Sequence, residues 1–399
     1  MTEGLLSGLN VLDLGHRVAG PYCSRLLALM GANVVKVERP GVGDPARQMG
    51  PFPGDIPHPE KSGLFLYLNT NKKGVTLNLK MTAGRDLLRR LVSEWADVVV
   101  ENFHPHVLPS LGLGYESLSK LQPRLVMTSI SNYGQTGPYR DFEAEDINIQ
   151  ALGGIIKLTG DPDKAPNKLG GYFAEYTGGM YAATGTAIAR YYASTSGEGQ
   201  HVDISLLEPL ATGLGPSLTA YGYMGAVSNR QGGGQDGWWP WGLFEAADGH
   251  VAIGIRREWM QVVQMMEDVP ELADPKYDVA SVRSDDRQVL DDLVAPSLKA
   301  MTKREFYAKA QSFGAPVGYC ATAEDVFSEP HLSKRGYLHV VEHPEAGTIT
   351  MPGLPWQSSG PATRVTRSPL LGEHNREIYC DTLGLSNDEL LTLVREGVL

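Results

Sequence analysis

The sequence predicts an α/β protein with a doubly wound parallel sheet in its larger part and an α+β arrangement in its smaller part. Strand-like apolar segments alternate with helical segments from the N-terminus to about residue 205, the pattern of a parallel sheet with helices on both faces. From about Ser228 the alternation gives way to a glycine run, an aromatic cluster, one strand and helical stretches, which marks a separate unit.

Leu9-Asn10-Val11-Leu12-Asp13-Leu14 reads as a buried strand, followed by a glycine-bearing loop from Gly15 to Pro21. Tyr22 to Met30 reads as a helix started by Pro21, and Ala32 to Glu38 as a second strand. This βαβ unit invites a dinucleotide reading with Glu38 on a ribose. The loop Gly15-His16-Arg17-Val18-Ala19-Gly20-Pro21 lacks the three spaced glycines of that site, so the reading is rejected. Further strands are expected from Val75 to Leu79, Asp97 to Glu101, Arg124 to Ile130 and His201 to Ile204, with helices near Ala83 to Glu94 and Tyr176 to Ala193. The expected division is a large domain over residues 1–205, a linker over 206–227, a small domain over 228–325 and a return to the large domain over 326–399 that ends in a short helix.

With 399 residues, 42% of them hydrophobic, the chain can bury a large core. No run of about 18 apolar residues occurs, and Met1 to Asn10 has no basic flank before an apolar stretch. Neither a membrane span nor a secretory signal is expected, and the cytoplasm is the default location. Cys23, Cys320 and Cys380 have no CxxC spacing, which argues against a disulfide framework and a structural zinc; no metal is expected. A net charge of -11 disfavours nucleic acid, so any anionic ligand has to meet a local basic patch.

Several segments, in order, resemble the class III CoA transferases, the family that includes formyl-CoA transferase, carnitine CoA transferase and α-methylacyl-CoA racemase. They are Gly8 to Leu14, Val18-Ala19-Gly20-Pro21-Tyr22, Gly31 to Glu38, Gly43-Asp44-Pro45-Ala46-Arg47, Val100-Glu101-Asn102-Phe103 and Gly134-Gln135-Thr136-Gly137-Pro138-Tyr139. The series continues with Gly178 to Ala183, Gly197 to Asp203 and Pro369 to His374. The resemblance implies a Rossmann-like large domain, a small α+β domain and two protomers threaded through each other as interlocked rings. It also implies an acyl-CoA and a small carboxylic acid as substrates, coenzyme A serving as part of the substrate rather than as a cofactor.

The family's coenzyme A contacts fall on the backbone at Val18 and Ala19, on Arg39, on the strand end from Leu77 to Lys80, and on Asn102 and Phe103. Arg39 and Lys80 are cations suited to phosphates, and an Asn-aromatic pair at a strand end can hydrogen-bond and stack an adenine. Read without the family, Arg39 is a solvated charge and Phe103 is core. Where relatives carry an Arg this chain has Ser110, and His104 or His106 is an available substitute.

Similar transferases use an Asp four residues before the glycine that opens a small-residue helix; counted back from Gly179, that register lands on Glu175. The required chemistry is attack on a thioester to give a mixed anhydride, then return of the CoA thiolate to give an enzyme thioester. A carboxylate with a reference pKa of about 4.3 is expected to be ionised at neutral pH without special tuning. Glutamate is longer than aspartate by roughly 1.5 Å, so the surrounding pocket has to differ.

The run Gln231-Gly232-Gly233-Gly234-Gln235-Asp236-Gly237 resembles the mobile loop that closes over the carboxylate in formyl-CoA transferase, with Gly233 and Gly234 offering backbone N–H groups to oxyanions. Its alternative is an interdomain linker. In the racemase branch a His precedes Asp-Ile-Asn; here the segment is Glu145-Asp146-Ile147-Asn148, which leaves 2-methylacyl-CoA epimerisation as an alternative. Asp146 is expected near the thioester, with helix N-capping as its plain role. Arg256-Arg257 beside Trp238, Trp239, Trp241 and Trp259 suits an acid with a second carboxylate, such as succinyl; the plain alternative is an aromatic core. The leading expectation is a CoA transferase with Glu175 as nucleophile, in a homodimer or a heteromer. Its alternative is a catalytically silent subunit paired with an Asp-bearing homologue.

Overall fold

The computed structural model describes residues 4–234, 238–255, 258–361 and 364–399. Two compact units are built from interleaved stretches of chain: Met1–Ile155, Leu169–Gly215 and His331–Leu399 form the first, and Ile156–Lys168 with Pro216–Pro330 the second. The stretch 206–227, expected as a linker, instead folds into the helices Leu207–Gly213 and Gly215–Met224.

The first unit holds a six-stranded sheet of β1 (Asn10–Asp13), β2 (Asn33–Glu38), β3 (Lys72–Thr76), β4 (Val98–Glu101), β5 (Val126–Ser131) and β6 (Gln200–Ser205). The strand order is β3-β2-β1-β4-β5-β6 and every pairing is parallel. Runs such as Asn33-Val34-Val35-Lys36-Val37-Glu38 are buried on both faces, as a parallel sheet covered by helices requires. β3 begins three residues before the expected start, because Lys72 enters the sheet on the strength of an internal ion pair that an apolar pattern does not flag. The order reverses between β1 and β4, so a crevice opens beyond their carboxyl ends.

One face of the sheet is covered by the helix Ala19–Leu29 and the long helix Phe173–Ser196, around Val11, Val34, Val98, Val100, Ala182 and Ala183. The first of these helices starts at Ala19, so Pro21 is its third residue rather than its starter; the N–H that proline lacks would be unpaired there in any case. The two helices cross closely because of Gly179, where an added Cβ would lie 2.7 Å from the Ala19 carbonyl oxygen. The opposite face packs Leu12, Val35, Val75, Leu88 and Leu91 with the C-terminal Ile378 and Tyr379. A C-terminal hairpin of the strands Leu338–His343 and Gly347–Pro352 completes this unit.

The second unit carries an antiparallel sheet of β7 (Trp241–Ala246), β8 (Gly249–Gly254) and β9 (Val317–Tyr319). Trp239 and Trp259 are buried in its core with ring centroids 5.9 Å apart, and the Trp239 indole donates to Asp291 Oδ1 at 2.7 Å. For these two the aromatic-core alternative holds. Gly233 and Gly234, in the turn before β7, pack against it: a Cβ on Gly233 would sit 3.2 Å from the Leu243 side chain, and one on Gly234 2.7 Å from Arg287 Nη1. Gln235-Asp236-Gly237 and Arg256-Arg257 lie outside the described residues.

Gly179→Ala is expected to destabilise the protein by about 1–3 kcal/mol, since a methyl group there overpacks the helix crossing. Chemical denaturation checks this; an unchanged midpoint would mean that the crossing has room.

Candidate active site

The loop after β1 is held by charges buried beneath it. Asp13, the last residue of β1, accepts from Lys72 Nζ at 2.9 Å, Ser24 Oγ at 2.7 Å and the Gly15 N–H at 2.9 Å. Lys36 Nζ donates to Asp44 Oδ2 at 2.6 Å and to the Gly15 carbonyl. Asp44 Oδ1 in turn takes the Arg17 N–H at 2.9 Å, which fixes Arg17 in a left-handed conformation with φ 62°. Gly15 and Gly20 touch, and a Cβ on either would come within 2.8 Å of the other's Cα.

Asn102, at the end of β4, ties this loop to its own. Its Oδ1 accepts the His16 N–H at 2.6 Å and its Nδ2 donates to the His16 carbonyl at 2.9 Å. The amide expected to face an adenine thus bonds the His16 backbone with one N–H and with its oxygen. The Phe103 N–H donates to Glu101 Oε2 at 2.8 Å, and burial pushes the Glu101 carboxyl up to about 7. Glu38 is buried and accepts from Arg47 Nε at 2.7 Å and Nη2 at 2.8 Å, so both of its oxygens serve Arg47 rather than a ribose.

Glu175 is half-buried in the first turn of the long helix, one turn before Gly179. The close crossing at Gly179 brings its carboxylate to the start of the neighbouring helix, where Oε2 accepts the Ala19 N–H at 3.3 Å. Asp146 caps the long helix from the side: Oδ1 accepts the N–H groups of Ala174 at 2.8 Å and Glu175 at 3.3 Å, and Oδ2 accepts from Gln150 at 2.6 Å. The N-cap of Asp146's own helix is Glu145, which forms a capping box with Asn148. Asp146 thus positions Glu175 and does not cap the helix that it begins.

Arg17 reaches Glu145 with both terminal nitrogens, at 3.3 and 3.2 Å. Burial pushes the Glu175 carboxyl up to about 7; Arg17 and the Ala19 N–H pull it down, and Asp146 and Glu145 push it further up. The expectation of an ionised carboxylate without tuning is corrected here, because the sequence did not reveal how far Glu175 is removed from water.

These groups line a cleft of about 200 Å³ with Phe103, His104, Asn132, Arg140 and Leu206. A second, more apolar pocket of about 140 Å³ is walled by Leu14, Val37, Leu77, Leu79, Val107 and Leu108, and the exposed Arg39 and Lys80 also line it. Phe103 belongs to both. Of the expected residues, Ala19, Asn102, Phe103, Asp146 and Glu175 line the first cavity and Arg39, Leu77, Lys80 and Phe103 the second. Val18 is buried with Ala46 and Phe65. Gly233 and Gly234 belong to the other unit. The Ser110 hydroxyl donates to the Val107 carbonyl within its own turn, at 2.7 Å. Sequence reasoning missed Arg17, Glu101 and Arg140; of these only Glu101 lies inside a shared motif, while Arg17 sits between two motifs and Arg140 just after one.

The raised pKa of Glu175 has a stability consequence. Between its ordinary value of 4.5 and about 7 the folded protein keeps a proton that the unfolded chain has released, so stability falls as pH rises through that window. Glu175→Gln is expected to be more stable than the wild type by about 1–2 kcal/mol at about pH 8, after discounting for partial exposure, and equal to it at about pH 5. Thermal melts at both pH values check this; a difference independent of pH would mean that the carboxylate is fully hydrated.

The chain matches the family described as CoA-transferase family III over residues 6–375. It is 36% identical to the succinyl-CoA–D-citramalate CoA-transferase of Chloroflexus aurantiacus, over 99% of this chain and 98% of that protein. It is 33% identical to the succinate–glutarate CoA-transferase of Agrobacterium fabrum, over 94% of this chain and 95% of that protein. The crystal structure of a CAIB/BAIF family protein from Brucella suis superposes with a TM-score of 0.86 at 31% identity, covering 95% of this chain and all of that one. This chain, with its parallel sheet and its carboxylate-lined cleft at the β1–β4 switch point, therefore belongs to CoA-transferase family III and is a class III CoA-transferase.

Proposed function

We propose that Glu175 is the nucleophile of a transferase that moves coenzyme A from succinyl-CoA, or another dicarboxylic acyl-CoA, to an acceptor carboxylic acid. The observation that carries this reading is a half-buried carboxylate at a helix start, between the Ala19 N–H and the Arg17 side chain, in a cleft bordering the pocket of Arg39 and Lys80. Glu175 attacks the donor thioester carbon, the C–S bond breaks, and CoA thiolate leaves a mixed anhydride. The thiolate then attacks the Glu175 carbonyl, which releases the donor acid and leaves a glutamyl thioester. The acceptor carboxylate runs the same two steps in reverse, so one thioester is exchanged for another without further input of energy.

The Ala19 N–H donates to the oxygen on which charge collects when the Glu175 carbonyl is attacked, a role for an oriented donor in a partly dry site. The apolar pocket takes the adenine end of coenzyme A in this reading, with Phe103 as its wall and Arg39 and Lys80 meeting phosphates. Arg17 supplies the charge for a second carboxylate. Its partner Glu145 is 64% exposed, so the pair is weakly held and an incoming carboxylate competes with it. Both relatives described above are named for succinyl-CoA or succinate. Glu145, where the racemase branch has His, is engaged with Arg17 rather than free as a base. Two such chains, interlocked, would form the working dimer.

Incubating the chain alone with succinyl-CoA and then hydroxylamine is expected to give a mass label on Glu175; a chain that stays unlabelled until an Asp-bearing homologue is added would favour the silent-subunit alternative. Because the ionised form attacks, kcat/KM is expected to rise about tenfold per pH unit up to about pH 7 and then level off, and a flat profile from about pH 5 to 8 would count against Glu175. Arg17→Ala is expected to lower kcat/KM for succinyl-CoA about tenfold or more relative to acetyl-CoA. Equal wild-type turnover of the two donors would remove the basis for a dicarboxylic substrate.

A further inference from the structure

Beside the cleft the fold assembles three metal-ligating side chains from two loops. His104 and His106 follow β4, and Asp141 lies on the loop between β5 and the helix Asp146–Leu152. One ligand atom from each lies within 4.8 Å of the others, and the two imidazole rings are 4.4 Å apart. His104 Nδ1 is shielded from solvent and meets no hydrogen-bond partner among the described residues, an arrangement that costs free energy unless something occupies it. Asp141 is held by Arg140 at 3.3 Å, with both side chains substantially exposed at 67% and 44%, so this pair is weak.

We propose that His104, His106 and Asp141 form a binding site for a divalent cation of the zinc class, with two imidazole nitrogens, one carboxylate oxygen and water as ligands. The imidazoles select zinc, nickel, cobalt or copper over magnesium and calcium, which prefer oxygen-rich sites. Metal–nitrogen bonds of about 2.0–2.1 Å set tetrahedral donors about 3.4 Å apart, so the donors have to close by no more than about 1.4 Å. His106 and Asp141 are exposed and free to make that movement.

Binding would join the turn after β4 to the loop after β5, both of which line the Glu175 cleft through His104 and Arg140. A bound ion therefore slows transfer by narrowing the entrance; this consequence, unlike the binding itself, rests on the proposed function.

The test is a cobalt(II) titration of the chelator-treated full chain, followed by visible absorption and calorimetry. The expected result is one ion per chain with a ligand-field spectrum of mixed nitrogen and oxygen ligation, weakened about tenfold or more in both His106→Ala and Asp141→Ala. No stoichiometric uptake, or uptake unaffected by either exposed-residue substitution, overturns the site. Metal-free Asp141→Ala should turn over like the wild type and resist stoichiometric zinc, whereas the wild type is inhibited. Wild-type turnover insensitive to zinc that calorimetry shows to be bound overturns the gating consequence alone.

Discussion

Four buried charges on and beside the first three strands, Asp13 on β1, Lys36 on β2, Lys72 on β3 and Asp44 after β2, organise the rest of the site. Asp13 with Lys72, and Lys36 with Asp44, have no exposed side-chain surface, and both pairs also grip the backbone of the loop after β1. Burial alone would neutralise such groups. For Asp13 it is outweighed by Lys72 and Lys36, which hold the carboxyl below its ordinary value, whereas Lys72 is pushed down to about 8 despite its partner. A buried pair of this kind adds little stability over an apolar pair, but removing one partner costs roughly 3–5 kcal/mol. Its effect here is positional, because it pins Gly15 on both backbone groups and holds Arg17 through Asp44.

That loop is one wall of the crevice, and Asn102 fastens the other wall to it through His16. Long-helix placement supplies the floor. Gly179 allows the crossing, Asp146 closes the exposed N–H groups of the first turn, and Glu175 then reaches the Ala19 N–H. A residue one methylene longer than the family's aspartate is thus held by the same two features that set the helix start. Its elevated pKa records a balance in which burial wins over Arg17 and one N–H donor. A carboxylate poorly solvated in this way is a stronger nucleophile once ionised, at the cost of being ionised less often near neutrality.

The acidic total of -11 makes the distribution of cations informative. Arg17 and Arg140 line the Glu175 cleft, and Arg39 and Lys80 line the apolar pocket next to it. These local charges act over about 8–10 Å at moderate salt, so each cavity keeps cations within reach on an acidic protein.

The sequence made legible the parallel sheet and the register that leads from Gly179 back to Glu175, because strand and helix periodicity and the spacing of small residues are local properties. It did not determine the start of β3, since Lys72 becomes a sheet residue only when Asp13 is beside it. Nor did it show that the Asn102 amide serves His16 or that Asp146 caps a helix 28 residues further on, because such partners are chosen by chain crossings. The same reason hides the proximity of His104, His106 and Asp141, which lie together only because the loop carrying Asp141 folds back beside the two histidines. Above all, identity supplied the carboxyl group of Glu175, and tertiary structure decided its ionisation, since the loss of water around a side chain is a property of everything packed against it.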